Sequence, residues 1–210
     1  MAQKITGRFL LFLLAAVVAA CTAQSTARST VERVLLARDL PHAPYDNIVV
    51  VGVAPSRELA RQFEQGLSDE LSERGVEVHS FVKESTAREA TAEAVANLVK
   101  ATGADAILMV TGRLAGAEID EHEEIVDVEA RNIGGNLLNF FRYDYREFTE
   151  PTFTDVTVDV KLVSLLFDAG SNERLHSVEV STTDGDTAYA VITSQSKAIA
   201  ERMQQDELIR

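Results

Sequence analysis

Four histidines, one acidic run and a single cysteine carry most of the reactive chemistry in this chain, and their spacing limits what they can do. Asp120-Glu121-His122-Glu123-Glu124 gathers four carboxylates and an imidazole in five residues, a donor set that suits a divalent cation. Successive residues of an extended chain point to opposite faces, so only two or three of the five can meet at one centre. A solvated acidic turn is the better reading. His42, His79, His122 and His176 lack the short spacings of zinc ligands, and are expected at the surface or partly buried. No Gly-x-Ser-x-Gly elbow is present. Gly112-Arg113-Leu114-Ala115-Gly116 lacks the glycine and lysine pattern of a phosphate loop and reads as a flexible strand end. The Ser181–Thr183 stretch before the last predicted helix is accounted for by helix capping. No catalytic constellation, resident metal or cofactor is therefore expected.

The cysteine has a different use. Lys4 and Arg8 precede an apolar run from Phe9 to Ala20. Twelve residues span only about 18 Å as a helix, well short of the roughly 30 Å hydrocarbon core of a bilayer. The run is a signal-peptide core and not a membrane span. It ends in Val18-Ala19-Ala20-Cys21, which resembles the lipobox of bacterial lipoproteins. In that family the cysteine is lipidated on sulfur and acylated on its new amino terminus, which implies residues 1–20 as a cleaved signal and Cys21 as the membrane anchor. Thr22 is not aspartate; by resemblance to lipoprotein sorting in enterobacteria this implies the outer membrane, with the domain facing the periplasm. Cys21 is the only cysteine, so neither a disulfide nor a thiol nucleophile is left for the folded part.

Without residues 1–20 the chain has 18 basic residues against 33 acidic ones, a net charge of −15. Nucleic acid and anionic head groups are bound through clustered Lys and Arg, and no such cluster exists here. The remaining 190 residues suffice for one domain with an appreciable core.

The elements follow from pattern. Residues 21–46 begin as a polar tether of small residues, although Val31, Val34, Leu35 and Leu36 could instead dock on the domain as a strand or short helix. Ile48–Val53 is a nearly continuous β-branched run, as in a strand buried on both faces. Pro55 and Ser56 open a helix in which Leu59, Phe63, Leu67 and Leu71 recur every four residues, and Gly75 closes it. Val76–Phe81 alternates as a second strand. Thr86 and Glu89 make a capping box for a helix carrying Ala90, Ala94, Leu98 and Ala101, ended by Gly103. Ala106–Val110 is a third strand, completing a βαβαβ half. Val156–Phe167 then alternates, a turn spans Asp168–Asn172, and about Arg174–Thr182 returns as its antiparallel partner. A last helix covers about Asp186–Gln205. The expected class is α+β: a βαβαβ half followed by an antiparallel hairpin and a C-terminal helix, in one mixed sheet over residues 47–210.

This order, with Asn47–Val53, Gly75-Val76-Glu77-Val78, Gly103–Leu108, Val160–Asp168 and the closing Ala198–Ile209, resembles a family of proteobacterial lipoproteins. Their α/β domain is similar to that of the curli-secretion lipoprotein, the lipoprotein activator of penicillin-binding proteins and the amino-terminal domain of the Tol translocation protein. Relatives often carry a tryptophan just after the hairpin turn, where this chain has Leu175-His176-Ser177. The resemblance implies a protein-binding or assembly module of the cell envelope, with no catalytic residues to carry over.

One segment points to where binding would occur. Arg131–Phe153 holds six of the thirteen Phe and Tyr residues, with Gly134-Gly135 as a hinge and Arg142 and Arg146 among the rings. Aromatic residues with arginine are the usual anchors of protein interfaces. Leu137, Leu138, Phe140, Phe141, Tyr143 and Tyr145 are the candidate partner-binding residues. The alternatives are that Leu137, Leu138, Phe140 and Phe141 pack under the sheet, with Tyr143 and Tyr145 on an edge strand, or that the segment inserts into the membrane surface. Two rival functions remain open to the sequence. An envelope enzyme or metal-binding protein would use Asp120–Glu124 with a distant histidine, and stoichiometric metal retained through dialysis would favour it. A small-ligand sensor has no specific residue in its support.

Overall fold

The computed structural model describes residues 27–115, 135–141, 159–183 and 187–210. The signal segment, Cys21, Asp120–Glu124, Tyr143, Tyr145 and the predicted strand start at Val156 lie outside the described residues.

Six strands are described: β1 (Arg28–Leu36), β2 (Asn47–Val53), β3 (Glu77–Ser80), β4 (Ala106–Ala115), β5 (Asp159–Asp168) and β6 (Arg174–Thr183). They form one open sheet in the order β1-β6-β5-β4-β2-β3. β4, β2 and β3 run parallel, while β5, β6 and β1 add antiparallel pairings. The class is α+β with a mixed sheet, as the sequence pattern implies.

Three long helices cover the faces: α1 (Arg57–Glu73), α3 (Ala92–Thr102) and α5 (Ala188–Gln205), with short turns α2 (Phe81–Glu84) and α4 (Leu137–Asn139) between them. β-branched and leucine residues of the central strands alternate between two apolar layers. Ile48, Val50, Leu108, Leu162 and Val180 pack with Phe63, Leu67 and Leu71 of α1 and Ile192, Ile199 and Met203 of α5. Val49, Val51, Ile107, Met109, Leu165 and Phe167 pack on the other face with Val95 and Leu98 of α3 and with Leu137 and Phe140. Burying each such side chain contributes about 2 kcal/mol.

Helix ends are set locally. Ser56 Oγ accepts from Leu59 N–H at 3.1 Å to start α1. At its other end Gly75 takes φ +83°, and Val76 N–H reaches Leu71 O, closing the helix in a left-handed turn that a Cβ would oppose. α3 departs from its expected start: Thr91, not the Thr86–Glu89 pair, is the cap, with its Oγ1 accepting from Ala94 N–H at 3.1 Å. The reason lies upstream. Phe81, expected as the end of a strand, is buried as the first residue of α2, so β3 stops at Ser80 and residues 85–90 become a link.

The other departure concerns residues 28–36, within the stretch read as tether. They pair along β6 from Arg28 opposite Thr183 to Leu36 opposite His176, so the strand alternative holds there and the folded unit starts before residue 47. A bulge between Val31 and Arg33 puts Val31 and Val34 on the same face, where both pack on the α1–α5 layer.

The sheet has two distinct ends. Asp168, Arg174, Ala106, Asn47 and Leu36 lie at the hairpin end; Thr183, Asp159, Ala115, Val53 and Arg28 lie at the opposite end, where α1 and α5 begin.

Candidate functional site

The hairpin end gathers the described groups with the most unusual surroundings. Asp168 closes β5 and is fully buried. Its Oδ1 accepts from Gly170 N–H at 3.0 Å and Ser171 N–H at 2.7 Å, the Asx geometry that shapes the turn. Its Oδ2 pairs with His42 Nδ1 at 2.5 Å, and the Tyr45 hydroxyl stands 3.5 Å away, a weak contact. Burial alone would raise the Asp168 pKa; the hydrogen bonds from His42 and Ser171 outweigh it and hold the carboxyl below its ordinary value. Burial, together with the charge of Asp168, pushes Tyr45 up to about 12. Asp168 thereby ties the connector between β1 and β2 onto the hairpin. The carboxyl-terminal tail joins the same end: Tyr45 N–H donates to Leu208 O at 2.7 Å, and Arg210 pairs with Asp46 at 3.1 Å.

Residues 135–141 dock on the other side of that turn. Asn136 bridges to Glu173, Leu137 N–H donates to Asn172 O at 3.0 Å, and Arg174 N–H donates to Gly135 O at 2.9 Å. Asn136 Oδ1 accepts from Asn139 N–H at 2.9 Å and caps the turn. Phe140 meets Phe167 of β5 edge-on at 6.4 Å and Phe141 at 5.5 Å.

This placement corrects part of the expected partner surface. Leu137 is 4 % exposed and Phe140 2 %, so both are core: three apart on a helical turn, they face the sheet together. Phe141 is partly buried against the same layer. Leu138, pointing the other way, is 55 % exposed. Tyr143 and Tyr145 lie outside the described residues.

The remaining titratable groups are dispersed. His79 Nδ1 pairs with Glu84 at 2.9 Å. His176, expected at the surface or partly buried, is 2 % exposed, with Nε2 against Asp206 at 2.8 Å; Arg202 holds the same carboxylate through two bonds of 2.8 Å. Among the described residues no three His, Cys, Asp or Glu side chains form a group that could hold a metal ion. No described helix is long and apolar enough to cross a membrane.

These pairings set the response to acid. For Asp206, burial again opposes ionisation, and the bonds from Arg202 and His176 prevail, so its pKa is lowered as that of Asp168 is. A carboxyl with a depressed folded pKa stabilises the fold above its unfolded value, about 4, and that contribution is lost as pH falls through the folded value. His176 is lowered by burial, so its neutral form favours the fold and stability declines as pH drops below about 6.5. Glu64, raised by burial, acts in the opposite sense. The expected result is a urea midpoint that falls as pH is lowered from 7 toward 3. The fall should be shallower in Asp168→Asn; equal slopes in the two proteins would remove Asp168 from the account.

No family model and no curated protein matches this chain. Among solved structures, a PelC dodecamer from Paraburkholderia phytofirmans is similar at 15 % identity, covering 87 % of this chain and 99 % of that one with a TM-score of 0.46. A PDZ domain protein from Parabacteroides distasonis is similar at 10 % identity, covering 94 % of this chain and 40 % of that one, with a TM-score of 0.43. Likeness at that level carries no argument about function. The lipoprotein resemblance rests on Val18-Ala19-Ala20-Cys21 and the order of elements after it.

Proposed function

We propose that this chain is a lipid-anchored, non-enzymatic module of the cell envelope. It is held on the outer membrane through Cys21 and binds another envelope protein at the hairpin end of its sheet. The anchor rests on Val18-Ala19-Ala20-Cys21 and the short apolar run before it. The binding surface rests on one observation: Leu138 is held 55 % exposed on a turn whose neighbours Leu137 and Phe140 are locked into the core. An apolar side chain carried on a turn that its buried neighbours already hold needs little backbone ordering when a partner covers it, which favours it as an anchor.

The test is photo-crosslinking in living cells from position 138, with Lys197 on the exposed face of α5 as the control position. One discrete adduct from 138, absent from 197 and lost in Cys21→Ala, is the expected result. A chain that folds and reaches the membrane but yields no adduct from 138 would overturn the binding surface.

A further inference from the structure

The start of β1 is fastened at one end of the sheet. Ser194 of α5 donates its hydroxyl to Ala27 O at 3.1 Å and accepts from Ser29 Oγ at 2.8 Å. Ser29 Oγ also meets Thr182 Oγ1 of β6 at 2.6 Å. Three hydroxyls thus clasp the start of β1 between the last strand and the last helix, at the end of the sheet opposite the hairpin. From that clasp, six residues lead back to Cys21.

Six residues reach at most about 21 Å when fully extended. The strands between the two ends are nine or ten residues long, about 30 Å. A tether shorter than the strands cannot let the domain turn over and set its hairpin end on the bilayer. The rim around Ala27, Thr183 and the first turn of α5 therefore stays within tether reach of the lipid attached at Cys21. Tyr189 stands in that turn, 75 % exposed. The other large apolar side chains exposed among the described residues, Leu36 and Leu138, lie at the hairpin end. A tyrosine joins an apolar ring to a polar tip, the combination that settles at the head-group level of bilayers.

We infer that this rim faces the lipid surface, with Tyr189 at the head-group level and the hairpin end directed away from the membrane. The inference rests on lipid attachment at Cys21 and adds to it a fixed orientation.

The chain has no tryptophan, so a single introduced one is its only indole emitter. Tyr189→Trp and Leu138→Trp both change exposed positions. Each is expressed as the full chain, extracted with detergent and reconstituted into phosphatidylethanolamine–phosphatidylglycerol vesicles containing lipid with a nitroxide on its head group. The expected outcome is that both variants float with the vesicles and that nitroxide lipid quenches emission from position 189 several-fold more than from position 138. Flotation with equal quenching, or stronger quenching at 138, overturns the orientation and leaves the anchor intact. Recovery of both variants as unlipidated chains that do not float overturns the anchor, and the orientation with it.

Discussion

Glu64→Ala is expected to lower stability by about 4 kcal/mol, through the loss of one acceptor serving two buried donors and a partly buried one. Glu64 lies on α1 and is fully buried. Its Oε1 accepts from Gly52 N–H of β2 at 2.8 Å; its Oε2 accepts from Ser80 Oγ at 2.6 Å and from Val82 N–H at 2.8 Å. One carboxyl thus joins the end of β2, the end of β3 and the start of α2. Burial raises its pKa against these hydrogen bonds and the nearby charge of Arg57, so the site already bears a desolvation cost. Truncation recovers part of that cost but strands three donors, each worth about 1–3 kcal/mol when left unsatisfied. Because whole domains hold only about 5–15 kcal/mol, the variant should unfold at a much lower urea concentration. A midpoint within error of the parent would mean that the donors find water without penalty.

Gly52→Ala should cost about 3 kcal/mol for a steric reason at the same junction. A Cβ at Gly52 would lie 2.4 Å from Ala60 O and 2.9 Å from both Ala60 C and Cα, all backbone atoms of α1. No rotamer can relieve that overlap; β2 and α1 have to move apart, and the Gly52–Glu64 bond lengthens as they do. Two controls separate this from ordinary crowding. Adding Ala60→Gly should rescue nothing, because the clash is with main chain. Combining Gly52→Ala with Glu64→Ala should cost less than the sum of the two, since both break the same contact. Full rescue by Ala60→Gly would place the overlap on a side chain.

Both residues show where the sequence is legible and where it is not. The Ile48–Val53 run, the four-residue stripe through Phe63, Leu67 and Leu71, Gly75 and Gly103 as helix ends, and the hairpin around Asp168 are local signals, and the fold follows them. Glu64 reads as one of the charged positions between apolar ones; only donors supplied by β2, β3 and α2 make it an interior residue. A lone glycine within the Ile48–Val53 run was the one available hint of close approach. β1 was ambiguous because its bulge breaks the alternation and its partner strand lies some 150 residues away, beyond the reach of any local pattern. The split of the aromatic segment was readable in part: the three-residue spacing of Leu137 and Phe140 turns Leu138 the other way. The Asx turn at Asp168 was also visible in its Asp-Ala-Gly-Ser-Asn sequence, whereas its pairing with His42 across 126 positions was not.

The clasp at Ser29 and Ser194 also bears on the order of assembly. Among the described residues β1 is the earliest strand and β6, the strand it pairs with, is the latest. Synthesis delivers β1 first, yet β6 follows only near the end of the chain, and closing so long a loop is slow. Once β6 has paired with β5 and until β1 docks, β6 presents an unpaired edge, the kind of surface on which incomplete sheets aggregate. The chain is therefore most vulnerable just before its oldest residues return to finish the sheet.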